Sequence, residues 1–155
     1  MEIAILGLGC FWGPEIKFSK LNGITKTEVG YCGGNSSSTN YREVCTGNTN
    51  HAEVVKIEFD TSKISYENIL CNFFEMHDPT TLNRQGPDTG TQYRSEIFFL
   101  NEKQEETAKK VLTKYNNKYN GKITTKISPI KNYCKAEEYH QKYFQKKISN
   151  DIGIN

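Results

Sequence analysis

The sequence predicts an α+β fold, a two-layer α/β sandwich in which helices pack over a mixed central sheet and long loops carry the chemistry. Three observations predict it. Strand-like and helix-like periodicities follow one another in the order βαββαβαβ(α). Some strands are neighbours in sequence and others are separated by helices, unlike the strict alternation of a doubly wound parallel sheet. The 155 residues are about one domain's worth, and no repeat, linker or composition shift divides them, so residues 1–155 are read as a single domain.

Residues 3–8 (Ile-Ala-Ile-Leu-Gly-Leu) form a short buried strand. Gly9-Cys10-Phe11-Trp12-Gly13-Pro14-Glu15 then turns into a helix. Pro14 suits an early helical position, where its missing N–H costs nothing, and Glu15 suits the positive end of the helix dipole. A thiol at this junction faces unpaired backbone N–H groups, which favour the thiolate, so Cys10 reads as a nucleophile. Free cysteines are also among the most buried residues, so packing remains the alternative at this point.

A second strand covers residues 24–31, and a Gly/Ser/Asn-rich loop covers 32–40. Ala52–Phe59 alternates, with Val55, Ile57 and Phe59 on one face. Ser65 is the N-cap of a helix with Tyr66, Ile69, Leu70, Phe73 and Phe74 inward, ending near His77 because Pro79 disfavours helix before it. Residues 78–92 make a polar loop long enough to imply function. Residues 94–100 are a strand. Asn101-Glu102-Lys103-Gln104 resembles a capping box opening a helix to about Tyr119, with Ala108, Val111, Leu112 and Tyr115 inward. Residues 123–130 alternate as the last strand, and a short helix with Tyr139, Tyr143 and Phe144 precedes a frayed tail over 145–155.

A formal charge of +2 with no dense basic run argues against nucleic acid or an anionic membrane as partner. No apolar stretch approaches the roughly 20 residues of a membrane span, and strand-like sequence begins almost at Met1, so a cytoplasmic monomer is the default expectation. The cysteines are Cys10, Cys32, Cys45, Cys71 and Cys134. Their odd number, wide spacing and lack of a C-x-x-C pair argue against a disulfide framework, a zinc ribbon or thioredoxin-type chemistry. Three polar clusters stand out: Glu53 at a strand start, Tyr41 beside Arg42 and Glu43, and the loop 83–94 with Asp88 and Tyr93. Taken alone, each is open to a bland reading as exposed carboxylate, core cover or connecting loop.

Seven motifs occur in order: G-C-F-W-G-x-E at 9–15, G-Y-x-G-G at 30–34, Tyr41 with V-C-T-G at 44–47, N-H-A-E-V-V at 50–55, H-D-P-T at 77–80, N-R-Q-G-P-D-T-G-T-Q-Y-R-S at 83–95 and A-E-E-Y-H-Q-K-Y at 136–143. Together they resemble the peptide methionine-S-sulfoxide reductases, the A type, over residues 6–143. The resemblance implies a single catalytic domain with a ferredoxin-like core. Cys10 would attack the sulfoxide sulfur, and Phe11 and Trp12 would cage the substrate methyl group. Glu53 would protonate the sulfoxide oxygen, with Tyr41 and Tyr93 hydrogen-bonding it. Asp88 would support Cys10 and the substrate, and His140 and Tyr143 would have supporting roles.

The implied chemistry is coherent. Sulfoxide oxygen leaves poorly until protonated, and a carboxyl desolvated among Phe11, Trp12, Tyr41 and Tyr93 would have a raised pKa. Reaction would return methionine and leave Cys10 as a sulfenic acid. A cage seating methyl on one side and oxygen on the other would select the S epimer, in free or protein-bound methionine sulfoxide. No metal or organic cofactor is expected. Many family members clear the sulfenic acid with a cysteine in a Gly-rich C-terminal tail, and residues 145–155 hold none, so that route is expected to be absent. Cys32, in a glycine-flanked loop able to swing toward Cys10, is the first candidate resolver and Cys134 the second. Direct reduction by thioredoxin, glutaredoxin or glutathione is the other route. Cys45 and Cys71 are expected to be structural. A peroxidase-like thiol enzyme and a non-catalytic redox-sensing module are the rival functions.

Overall fold

The first strand, β1 (Glu2–Leu8), holds the middle of the sheet, as its unbroken apolar run requires of a strand covered on both faces. In this computed structural model, which describes residues 1–151 and the side chains of 1–149, β1 pairs antiparallel with β3 (Ala52–Phe59) and β6 (Ser95–Phe99). β2 (Ile24–Cys32) pairs antiparallel with β3, and β7 (Lys126–Pro129) runs parallel to β6. With β8 (Cys134–Lys135) on β2, the six-stranded sheet has the order β7-β6-β1-β3-β2-β8 and is mixed, as predicted.

Period-two alternation sorts the two faces. Ala4, Leu6 and Leu8 join Val29, Tyr31, Val55, Ile57, Phe59 and Ile97 in the main core. Phe18 of α1 (Trp12–Ser19), Ile69, Leu70, Phe73 and Phe74 of α3 (Tyr66–Met76), and Val111 and Tyr115 of α4 (Glu102–Lys118) complete it. The intervening residues Ile5, Cys32, Ala52, Val54 and Phe98 form a smaller cluster on the opposite face, with Tyr133 against it. Ser65 caps α3, its hydroxyl accepting from Asn68 N–H at 3.0 Å. Asn101 caps α4 at 2.9 Å, but the expected capping box is not reciprocal: the Gln104 side chain accepts from Leu100 N–H and donates to Ile3 C=O, tying α4 to β1.

The structure corrects four expectations. The last strand is four residues, not 123–130, because the N–H groups of Ile123 and Thr124 are taken by the Asn116 side chain and the Pro79 carbonyl. The loop 78–92 contains a hairpin of β4 (Arg84–Gln85) and β5 (Asp88–Thr89) and a 3₁₀ turn, Thr91–Tyr93. A one-turn helix, α2 (Tyr41–Val44), capped by Asn40, has no counterpart in the sequence reading. Tyr139 lies in a 3₁₀ turn, Glu138–His140, and the last helix, α5 (Tyr143–Asp151), occupies most of the expected tail. The remainder of that tail, 152–155, lies outside the described residues.

Two buried side chains stitch residues 136–142 onto the sheet where no strand does so. Gln141 accepts from Val29 N–H and donates to the carbonyls of Val29 and Ala136, each at 2.9 Å. Glu15, fully buried in the first turn of α1, accepts from Lys142 N–H at 2.7 Å and from the Thr27 hydroxyl at 2.9 Å. Buried polar groups left without partners cost about 1–3 kcal/mol each. Gln141→Ala is therefore expected to lower the urea midpoint by the equivalent of about 3 kcal/mol. Amide exchange should accelerate over 136–143, leaving β1 and β3 protected.

Candidate active site

Leaving β1, the chain turns at Gly9, whose φ of 94° favours glycine. A Cβ there would stand 2.8 Å from side-chain carbons of Gln85, so the β4–β5 hairpin lies directly against the turn. Cys10 follows, half-buried, and Phe11 is the N-cap residue of α1. The Trp12 N–H lowers the Cys10 pKa, as the strand–helix junction predicts. Burial outweighs it, with the Glu53 and Asp88 carboxyls adding to the rise, and pushes the thiol from its ordinary 9.0 up to about 11. The expected resting thiolate is thus corrected to a thiol.

Glu53, the second residue of β3, sits across from Tyr31 in register, on the same sheet face as Val55. It is 1% exposed, the opposite of the bland surface carboxylate. Its Oε1 accepts from Phe11 N–H at 3.2 Å, and its Oε2 is buried with no hydrogen-bond partner among the described residues. Burial raises its pKa to about 8 against the lowering by Phe11 N–H, and the nearby Asp88 adds to the rise. At neutral pH the group is a carboxylic acid with an undirected proton.

Aromatic side chains surround this pair. Phe11 is buried, its ring 5.8 Å from Tyr31 and 5.2 Å from His140, centroid to centroid. The indole of Trp12 stacks on Tyr143 at 3.9 Å and 14°, and its N–H donates to His140 Nδ1 at 3.0 Å. Tyr41 packs on His140 at 4.5 Å. Burial, followed by the Cys45 thiol beside it, pushes the Tyr41 phenol up. Tyr93, at the end of its 3₁₀ turn, is pushed up to about 12 by burial, with Glu53, Cys45, Asp88 and Cys10 adding to the rise. Both phenols are neutral donors at pH 7. Asp88 is half-buried on β5 opposite Gln85, close enough for its charge to act on Cys10, Glu53 and Tyr93.

The structure therefore brings together Cys10, Glu53, Tyr41, Tyr93, Asp88, Phe11, Trp12, His140 and Tyr143. It does not bring Cys32 to them. That residue ends β2 rather than lying in a loop, and is fully buried on the opposite face with its thiol donating to Lys131 C=O at 3.3 Å. Cys134 is half-buried on the edge strand opposite Tyr31, its sulfur 3.7 Å from the Thr39 carbonyl. Cys71 packs against the main core. Cys45, expected to be structural, is instead exposed beside Tyr41. Sequence reasoning missed Glu137, which accepts from Tyr31 OH at 2.8 Å and from Tyr41 N–H at 2.9 Å and so joins β2 to α2. It lies inside the 136–143 motif, but only the fold shows what it reaches. Among the described residues no cluster of three or more His, Cys, Asp or Glu is arranged to hold a metal ion.

Comparison with known proteins agrees with this geometry. Residues 2–154 match the family model described as peptide methionine sulfoxide reductase. The chain is 68% identical over 147 residues to the peptide methionine sulfoxide reductase MsrA of Pelagibacter ubique, covering 95% of this chain and all of that one. Methionine sulfoxide reductase A of Corynebacterium diphtheriae superposes with a TM-score of 0.91 at 38% identity, covering 95% of this chain and 75% of that one. Mxr1 of Saccharomyces cerevisiae in complex with Trx2 superposes with a TM-score of 0.66 at 27% identity, covering 92% and 84%.

Two outcomes follow from the protonation states. Between pH 4.5 and 8 native Glu53 keeps a proton that the unfolded chain has released, so folding stability falls as pH rises through that window. Glu53→Gln should unfold at higher urea than the parent at pH 9, by on the order of 3–5 kcal/mol, with the difference vanishing near pH 4. Iodoacetamide labelling of Cys10, followed by mass spectrometry, should rise with a midpoint at about 11; a midpoint below neutrality would contradict the neutral thiol.

Proposed function

The chain belongs to the peptide methionine sulfoxide reductase family and is an oxidoreductase that reduces methionine sulfoxide, and we propose that it acts on the S epimer through a Cys10 sulfenic acid. The observation that carries this reading is the neutral Glu53, with a buried, unpartnered Oε2 beside the Cys10 thiol. The sulfoxide oxygen enters as the missing partner of Oε2, with the Tyr41 and Tyr93 hydroxyls donating to it. The methyl group rests on Phe11 and Trp12.

Proton transfer from Glu53 to that oxygen makes the substrate sulfur electrophilic and places positive charge beside Cys10. An adjacent positive charge lowers a thiol's pKa, so the thiol ionises once substrate is present, its proton replacing the one Glu53 gave up. Sulfur attack and oxygen transfer release methionine and leave Cys10–SOH. The sulfur of methionine is reduced and that of Cys10 oxidised, with no external reductant consumed in this half. Exchanging methyl and oxygen in the R epimer would put oxygen on the indole and methyl against the acid, leaving Glu53 unpartnered.

The second half needs an external thiol. Its sulfur displaces water from Cys10–SOH, and a second thiol then releases Cys10 and leaves the reductant as a disulfide. The burial of Cys32 on the opposite face supports direct reduction over internal resolution by that residue. The complex of yeast Mxr1 with Trx2 supports a thioredoxin as the reductant. The order β6-β1-β3-β2 of the four central strands supports reading the scaffold as ferredoxin-like.

With dithiothreitol as reductant, the S epimer should be consumed and the R epimer left. Cys10→Ser should abolish turnover, and Glu53→Gln should slow reduction by about 10²–10⁴-fold, the usual contribution of a general acid. One equivalent of methionine sulfoxide, without reductant, should remove one of the five thiols and leave a dimedone-reactive Cys10. Loss of two thiols, with a disulfide to Cys134 or Cys45, would overturn direct reduction.

A further inference from the structure

We propose that His140 is a positioning residue that fixes the Trp12 indole, and with it the methyl-binding wall of the site, by acting as a neutral imidazole that accepts on Nδ1. An indole N–H can only donate, so the 3.0 Å contact from Trp12 Nε1 requires a lone pair on Nδ1 and places the imidazole proton on Nε2. The ring is 1% exposed, and Nε2 is buried with no partner among the described residues, so this tautomer is set by Trp12 and not by a second acceptor. Phe11 at 5.2 Å, Tyr41 at 4.5 Å and Tyr139 at 4.1 Å hold the imidazole between them. On the indole's face, Tyr143 stacks at 3.9 Å. Stacking sets the plane of the indole but permits sliding and turning within that plane. The hydrogen bond to His140 removes that freedom.

The contact is conditional on charge. An imidazolium carries N–H at both nitrogens, so protonation would set two donors against each other across 3.0 Å. Burial lowers the His140 pKa below its ordinary 6.5, against a smaller rise from Glu137. The groups facing the ring are Glu137 and Tyr139 from its own turn and Tyr41 from α2, while Phe11 and Trp12 bring none that titrates. The Glu137 carboxyl is held below its usual range and Tyr41 and Tyr139 above theirs, and the His140 variants identify the group that carries an acidic change. Because the folded protein favours the neutral ring, the stability it contributes is complete above pH 6.5 and is lost as pH falls toward the folded pKa.

The chain contains one tryptophan, so intrinsic indole fluorescence reports on the surroundings of Trp12, and the His140 variants separate this contact from the rest. The parent should show an emission change with a midpoint below pH 6.5, which both His140→Leu and His140→Asn should abolish. Glu53, titrating at about 8, would give a separate alkaline change that all three proteins share. The turnover arm rests on the sulfoxide-reductase reading, whereas the fluorescence arm needs no substrate. On methionine sulfoxide, His140→Leu should raise KM about tenfold or more with kcat changed less than about threefold. His140→Asn, whose Oδ1 can stand where Nδ1 stood, should bring KM back to within about threefold of the parent.

An acidic transition that persists in His140→Asn, or a His140→Leu protein with parental KM and parental emission, would overturn the proposal. So would a fall in kcat at unchanged KM. Should His140→Leu fail to fold by circular dichroism, the pH titration and KM of His140→Asn decide. A parent that shows the expected acidic transition but does not consume methionine sulfoxide would support the indole contact and overturn the functional reading instead.

Discussion

The burial of one carboxyl, that of Glu53, is the constraint on which the site depends. β3 places it on the core side of the sheet, where Val55, Ile57 and Phe59 alternate behind it, so solvent cannot stabilise its charge. The backbone N–H of Phe11 satisfies one oxygen and leaves the other free. This single hydrogen bond also ties the start of α1 to β3, so the turn that carries Cys10 is registered against the strand that carries Glu53. A carboxyl with both oxygens satisfied would have its proton engaged, and an exposed one would have none to give at pH 7.

The resting state is electrically quiet. Burial makes the Glu53 carboxyl neutral at pH 7 and moves the Cys10 thiol and the two phenols, already neutral there, further from ionising; the helix-end N–H of Trp12 is too weak to reverse this at Cys10. A neutral thiol is slow to react with adventitious oxidants and electrophiles. In the proposed reaction nucleophilicity is called up by the charge the substrate itself acquires, which would confine it to a bound sulfoxide. What the fold supplies is a buried carboxylic acid near a neutral thiol, rather than a preformed thiolate.

The aromatic shell around His140 is assembled from three parts of the chain. Trp12 comes from α1, Tyr41 from α2 and His140 with Tyr143 from the last thirty residues. Past β7, the described part of that segment contributes only the two-residue β8 to the sheet, and side chains do much of the remaining docking. Gln141 imitates a strand partner by bonding both the N–H and the C=O of Val29, and Glu15 caps the backbone of Lys142. Glu15 reads in the sequence as a helix-dipole residue. Its second role, as a buried clamp on a segment more than a hundred residues away, needs the fold to be seen.

Local physics made much of the architecture legible. The alternation of Val55, Ile57 and Phe59, the cap at Ser65 and the stripe of Ile69, Leu70, Phe73 and Phe74 depend on periodicities of two and 3.6 residues, which neighbours in sequence already determine. Short elements escaped that reading: α2 is four residues, and the β4–β5 hairpin has two-residue strands, too brief for any period to show. The motif resemblance named Cys10, Glu53, Tyr41, Tyr93 and Asp88, and the fold gathers all of them. What residue identity could not decide was solvation. The same helix-end position that favours a thiolate in water holds a thiol when it is covered. The same cysteine beside flexible glycines becomes inert as Cys32 when the strand continues through it and turns its sulfur to the far face. Sequence alone thus determined which groups are present and which elements carry them. Only the tertiary structure decided their charge and their company, because desolvation and long-range contact depend on chain segments distant in sequence.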